Sequence, residues 1–252
     1  MQHTILKAVR TLDEFDVRLF CDFGLGVELQ DFTEPALSPL ECYDILRRYE
    51  KKFEDFHGVK AMHGSFLDVD IASFNMDFAR YSKNLYARDL FFAQVLQLDY
   101  IVFHGNIKSR IVNPEAWKLF IKLQKEFFIE ALAATGYQGT VVLENILEDS
   151  PEPLFALVSG IDLPQVKVNF DFGHAKLSKL RIEMWIEKLA PQLSYVHAHS
   201  NDGVHDLHHA ISFDDAQCLV KALRENNVSV PICLEYWDCD IQSEMLRLKD
   251  IL

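Results

Sequence analysis

The stretch Asn113–Asn145, "NPEAWKLFIKLQKEFFIEALAATGYQGTVVLEN", holds one complete structural unit. Asn113 is a helix-capping residue type, and Pro114 stands where the first helical N–H would be unpaired anyway. An amphipathic run follows, and Gly136 ends it. Then comes "TVVLEN" (Thr140–Asn145), a β-branched run that closes on a carboxylate.

The same alternation recurs in both directions. Strands are expected at "TILKAV" (Thr4–Val9), "GVELQDF" (Gly26–Phe32), "VKAMHG" (Val59–Gly64) and "YIVFHG" (Tyr100–Gly105). They continue with "VKVNFD" (Val166–Asp171), "SYVHAH" (Ser194–His199) and "PICLEY" (Pro231–Tyr236). Amphipathic stretches such as "SPLECYDILRRYEKKFEDF" (Ser38–Phe56) lie between them. Eight strand–helix units in 252 residues predict an α/β protein, a closed parallel (β/α)8 TIM barrel forming one domain over residues 1–252. A doubly wound sheet is the runner-up.

Composition narrows the classes. With 49% hydrophobic residues the chain can bury a full core, yet no apolar run approaches the ~20 residues of a membrane span. "MQHTILKAVRTLDEF" acquires charge before a long apolar run forms, so no secretory signal is expected. Five cysteines without a C-x-x-C pair predict free thiols and a cytoplasmic location. The net charge of −13 opposes general affinity for nucleic acid.

Chemistry-bearing residues fall at the strand ends. His63, His104, Glu144, Asp171, His199 and Glu235 each end an apolar run or stand next to its end. Side chains alternate along a strand, so Val102 shares a face with His104, Val142 with Glu144, Asn169 with Asp171 and Cys233 with Glu235. In a barrel that face points inward, and the six residues converge at the rim where barrel active sites are built. Unpaired carboxylates there would be costly, and divalent ions remove that cost. Beyond the strand ends, His174 follows Asp171 by three, and Asp206 and His208 form a D-x-H pair. Half of the ten histidines lie in "YVHAHSNDGVHDLHHAIS" (Tyr195–Ser212). His199 is the expected strand ligand there, Asp206 and His208 the loop ligands, and His197 a hydrogen-bonded core histidine one layer deeper.

The pieces "MHGSF", "VFHGN", "LEN", "FDFGHA", "HSNDG", "DLHHAI" and "CLEY" run in order from about residue 60 to 237, and with them the chain resembles the xylose isomerase-like barrel superfamily. That superfamily holds sugar isomerases and epimerases and the endonuclease IV type of apurinic-site nuclease. The resemblance implies up to three divalent ions, of Zn, Mn or Fe type or Mg. His63 and His104 would hold a first ion and Glu144 would bridge. Asp171, His199 and Glu235 would hold a second, and His174, Asp206 and His208 a third. The one-ion isomerase branch would need only Glu144, Asp171, His199 and Glu235.

The chain departs from both branches. No Arg follows the strand-seven His, and Asn145 stands where epimerases place Pro. The D-x-H pair runs into "HHAISFDDA" without Gly, and Gly64–Ser82 is not a basic DNA-binding loop. The expected activity is hydrolysis of a phosphoester on a small sugar-like substrate, with sugar or sugar-phosphate isomerisation or epimerisation as the alternative. Glu144 and Glu235 are the expected catalytic residues. Lys108, Arg110, Asn145 and Asn201 are the expected substrate contacts. No membrane partner is expected, and apurinic DNA is the less favoured substrate.

Overall fold

The computed structural model describes residues 3–33, 37–108, 113–237 and 239–251. The strands are β1 (Ile5–Val9), β2 (Gly26–Leu29), β3 (Lys60–His63), β4 (Tyr100–His104), β5 (Thr140–Glu144), β6 (Val166–Asp171), β7 (Leu193–Ala198) and β8 (Ile232–Leu234). They pair in chain order, and β8 closes on β1. Every pairing is parallel, as with His104 opposite Glu144 and Glu144 opposite Asn169. The expected closed (β/α)8 barrel is therefore the fold.

Around it lie α1 (Val17–Asp22), α2 (Pro39–Phe53), α3 (Met76–Val95), α4 (Pro114–Thr135), α5 (Glu152–Ile161), α6 (Phe172–Lys176), α7 (Ile182–Leu189), α8 (Phe213–Glu225) and α9 (Ile241–Leu248). The ends of α4 follow the sequence signals. Asn113 Oδ1 accepts from the N–H groups of Glu115 and Ala116, and Gly136 ends the helix at φ +70°, a conformation open to glycine without strain.

Strand alternation divides the core in two. The outward face packs on the helices through residues such as Val27, Ile101, Val141 and Phe170. The inward face forms a separate small cluster of Leu6, Ala8, Ala61, Val102, Val142, Tyr195 and Cys233. This plug fills the lower barrel, and the polar residues stand directly above it.

Two strands stop two or three residues short of their expected ends. β2 stops at Leu29, and Asp31–Thr33 turns into a single 3-10 turn. There Asp31 accepts from the Leu12 N–H at 2.9 Å and the Tyr49 hydroxyl at 2.5 Å, local bonds that compete with the ladder. β8 stops at Leu234, yet the Glu235 N–H still donates to the Ala198 carbonyl at 3.2 Å. That bond fixes Glu235 at the rim.

Candidate metal centre

Three groups of donor atoms face the rim, and a fourth, Glu28, His197 and Cys233, lies beside them inside the barrel. His63, His104 and Glu144 form one, Glu144, Asp171, His197 and Glu235 a second, and His174, His199, Asp206 and His208 a third; within each group one atom per residue lies within 4.8 Å of the others. Glu144 belongs to the first two. Its Oε2 is 3.6 Å from His63 Nε2 and 3.2 Å from His197 Nδ1, while Oε1 is 3.2 Å from His174 Nδ1. Asp171 faces the second and third groups, with Oδ2 3.8 Å from His197 Nδ1 and Oδ1 3.2 Å from His199 Nε2.

Local chain geometry brings the loop residues in. Asp171 caps α6, accepting the His174 N–H on Oδ1 at 2.6 Å, so the D-x-x-H spacing becomes one helical turn. Ser200 and His209 exchange both backbone bonds in an antiparallel bridge, which folds the intervening loop back over the barrel. His208 then stacks on His199 with ring centres 3.9 Å apart. Gly173 makes room below, since a Cβ there would come within 2.0 Å of His199 Cε1.

The imidazoles are oriented. His63, His174, His199 and His208 each set Nδ1 on a backbone carbonyl, those of Gly64 (2.9 Å), Asn145 (2.8 Å), Leu207 (3.2 Å) and Glu235 (3.0 Å). A carbonyl only accepts, so Nδ1 carries a hydrogen, and in the neutral imidazole Nε2 presents a lone pair to the cluster. Asp171 Oδ2, His197 Nδ1, His199 Nε2 and Glu235 Oε2 are buried without a hydrogen-bond partner. His197 Nδ1 and Glu235 Oε2 are only 3.0 Å apart but misaligned for a hydrogen bond. Each orphan costs about 1–3 kcal/mol, and a divalent ion among them removes that cost. The donor set fits such ions.

Charge is balanced internally. Burial opposes ionisation of Glu144, yet His197, His174 and His63 hold its carboxyl well below the usual range. Burial likewise opposes the charge on Glu235, and His197 outweighs it. Burial disfavours the cations of His63, His174 and His197, but neighbouring carboxylates raise all three above the ordinary value. His208 is raised to about 9: burial lowers it, and Asp206, Glu235 and Asp171 more than compensate. Burial pushes His104 down to about 3.

Imidazole binds a metal only when neutral at the ligating nitrogen. Zn2+ binding at neutral pH is therefore expected to release protons, with affinity rising as pH climbs toward the His208 value. Titration calorimetry in two buffers of different ionisation enthalpy checks this. Equal enthalpies in both buffers would mean that these histidines are not the donors.

His199 groups with His174, Asp206 and His208, and its Nε2 is also 3.2 Å from Asp171 Oδ1, as expected of a residue beside Asp171; His197 stands with Glu144, Asp171 and Glu235. His197 does have its hydrogen bond, from Nε2 to Glu28 Oε2 at 2.9 Å, yet Nδ1 reaches the cluster. Asn145 is 1% exposed, and its amide bonds both the N–H and the carbonyl of Asp171. Asn201 bonds the Gly173 carbonyl and the Gly203 N–H. Both asparagines thus tie backbone. Lys108 Nζ is 2.7 Å from Asp70 Oδ2, which already neutralises it. Arg110 lies outside the described residues.

Two supporting residues, Glu28 and Gln30, escaped the sequence reading, and a third, Asn169, was placed on the inward face without a role. Gln30 donates to Glu235 Oε1 at 2.8 Å, Asn169 to Glu144 Oε2 at 3.0 Å, and Glu28 pairs with His197. The available signal was "GVELQ", where Glu28 and Gln30 share the inward face of an otherwise apolar strand.

Solved structures of similar shape include a Thermus thermophilus protein from a ZnCl2 soak (TM-score 0.75, 21% identity, 98% of this chain and 97% of that one). A D-tagatose 3-epimerase-like protein superposes with TM-score 0.74 at 20% identity over 98% of this chain and 95% of its own. An AP endonuclease of family 2 from Brucella melitensis gives 0.68 at 16% identity, covering 99% of both chains. An uncharacterised Methanocaldococcus jannaschii protein is 27% identical over 64% of this chain, and the match spans 58% of that relative's length. The family model described as xylose isomerase-like TIM barrel matches residues 25–251, so the chain belongs to that family.

Proposed function

We propose that this protein is a divalent-metal-dependent hydrolase acting on a phosphoester of a small, sugar-like substrate. The observation that carries the reading is the third donor group. Moving a proton between neighbouring carbons calls for one ion and flanking carboxylates. Four further donors at the rim, three of them imidazoles set on backbone carbonyls, suit a substrate with concentrated negative charge. Ions bound in the three groups would polarise the phosphoryl oxygens and offset charge at the leaving oxygen.

The chain's own residues do the rest. Glu144 joins the first two groups and Asp171 the last two. Glu235, with Oε1 steadied by Gln30, would hold the second ion through Oε2, which has no hydrogen-bond partner. His208, 23% exposed in its side chain, and Asp206, at 42%, mark the side open to solvent. With Lys108 paired to Asp70, an anionic group would be met by the ions.

The second reading is a sugar or sugar-phosphate isomerase or epimerase. It draws on Glu144 Oε2 and Glu235 Oε2, which converge on His197 Nδ1 at 3.2 and 3.0 Å, a pair of carboxylates arranged about one point. The test is a substrate panel of sugar phosphates, ketoses, aldoses and an abasic DNA duplex, run with and without chelator. Chelator-sensitive phosphate release from small sugar phosphates is expected. With a net charge of −13, at most slow nicking of abasic DNA is expected. Ketose–aldose interconversion or epimerisation without phosphate release would overturn the hydrolase reading, and tight site-specific nicking would overturn the small-substrate one.

A further inference from the structure

We propose that Trp237 is a positioning residue of the third donor group: its indole backs the His208 imidazole, so that the ring brought in by the loop is held in place before an ion arrives. The ion rests on the metal reading above; the geometry of the two rings does not.

The place of Trp237 follows from the strand before it. Tyr236 is buried in the outer core, where its hydroxyl donates to Glu244. Alternation continued past β8 puts Glu235 and Trp237 together on the other side, toward the rim. There the indole stacks on His208, with ring centres 5.5 Å apart and planes 26° from parallel, inside the range of offset aromatic pairs. His208 Nδ1 meets the Glu235 carbonyl at 3.0 Å. One short segment therefore holds both an edge and a face of the imidazole.

His208 needs that support. His174 and His199 are buried, but no residue from 201 to 208 is, so the loop offers its donor no core of its own. The indole N–H shows what the Trp237 ring is there for. It is buried and has no hydrogen-bond partner, whereas buried polar groups are nearly always paired. The ring is therefore held through its faces and not through its N–H. The Arg10 guanidinium, tied to Glu14 at 3.0 Å, lies 5.8 Å from the indole centre and braces it. His208 in turn stacks on His199. Arg10, Trp237, His208 and His199 thus form one chain of contacts running from the end of β1 into the third group.

The experiment compares the wild type with Trp237→Phe, which keeps a ring, and Trp237→Leu, which keeps bulk without one. Thermal melting of each metal-free protein reports the fold. The first readout is the chemical shift of the His208 ring protons in the metal-free protein, assigned against His208→Gln. The indole should move these protons upfield in the wild type, Trp237→Phe should keep part of that displacement, and Trp237→Leu should lose it. The second readout is Zn2+ stoichiometry and affinity, by metal analysis and chelator competition. Trp237→Leu is expected to weaken one ion by roughly 2–10-fold, the scale of one aromatic pair, and to leave the others unchanged. That ion should be the one an Asp206→Ala/His208→Ala double variant loses, and Trp237→Phe should hold it nearly as well as the wild type. Wild-type His208 protons without the upfield displacement would overturn the proposal even if the leucine variant does not fold. Equal affinities in both variants and the wild type would overturn it while leaving the metal reading in place. A wild type that takes up no Zn2+ would remove both.

Discussion

Glu144→Gln is expected to empty the first two donor groups and to lower turnover by roughly 10²–10³ or more, the scale of losing one preorganised electrostatic partner. Among the described residues no other side chain stands where it could take over. Glu144 Oε2 faces His63 and His197, and Asn169 donates to the same oxygen, while Oε1 faces His174. An amide offers one weakly accepting oxygen where two anionic ones stood. Breaking one side of a buried charge network costs up to about 3–5 kcal/mol, but the fold is expected to survive for a specific reason. Glu144 is among the groups that raise His63, His174 and His197. Without it burial favours the neutral imidazoles, so fewer buried cations are stranded. Metal analysis, circular dichroism and a melting curve check the three parts together. A folded Glu144→Gln protein that keeps its full metal content and turnover would show that the three groups are not a metal centre.

The barrel was legible because its signals are local and repeated. Each strand is a β-branched run bounded by polar residues, and each long helix announces its cap, as Asn113 and Gly136 do for α4. The rim was legible for a related reason. A residue at the C-terminal end of an inward-facing strand has one place to go, and His63, His104, Glu144, Asp171 and Glu235 all go there.

Depth was not legible. Alternation says that His197 and His199 share a face, but the height each reaches depends on the stagger between strands. Asp171 is level with His197, after a register shift between Val168 and Asn169. His199, one residue beyond β7, leans instead to the loop that the Ser200–His209 bridge folds over it. Glu28 escaped for the same reason, since it stands below the rim on a strand ending at Leu29. An asparagine beside a ligand reads equally as a substrate contact or a backbone tie, and the sequence does not show the backbone bonds that Asn145 and Asn201 make.

The Asp206→Ala/His208→Ala double variant is expected to lose one ion and to lower phosphoester hydrolysis by roughly 10²–10³, with the first two groups intact. Both residues are removed together because they face one position, Asp206 3.5 Å from His208 Nε2 and 3.2 Å from His174 Nε2, and residues acting as a unit are not additive. The loop should hold its course, since the Ser200–His209 bridge is made by backbone atoms and the turn is held by Asp202, which accepts from the Val204 and His205 N–H groups. His174 keeps its Nδ1 contact to the Asn145 carbonyl, so the second group is disturbed little. Metal content should fall by one ion, and melting of the metal-free protein should change only modestly. Proton transfer between carbons needs Glu144 and Glu235, which the double variant leaves in place. If the variant loses an ion yet interconverts a ketose and an aldose, or epimerises a sugar, at the wild-type rate, the third group is dispensable and the isomerase reading replaces the hydrolase. If phosphate release collapses, the third group is where the substrate's charge is held.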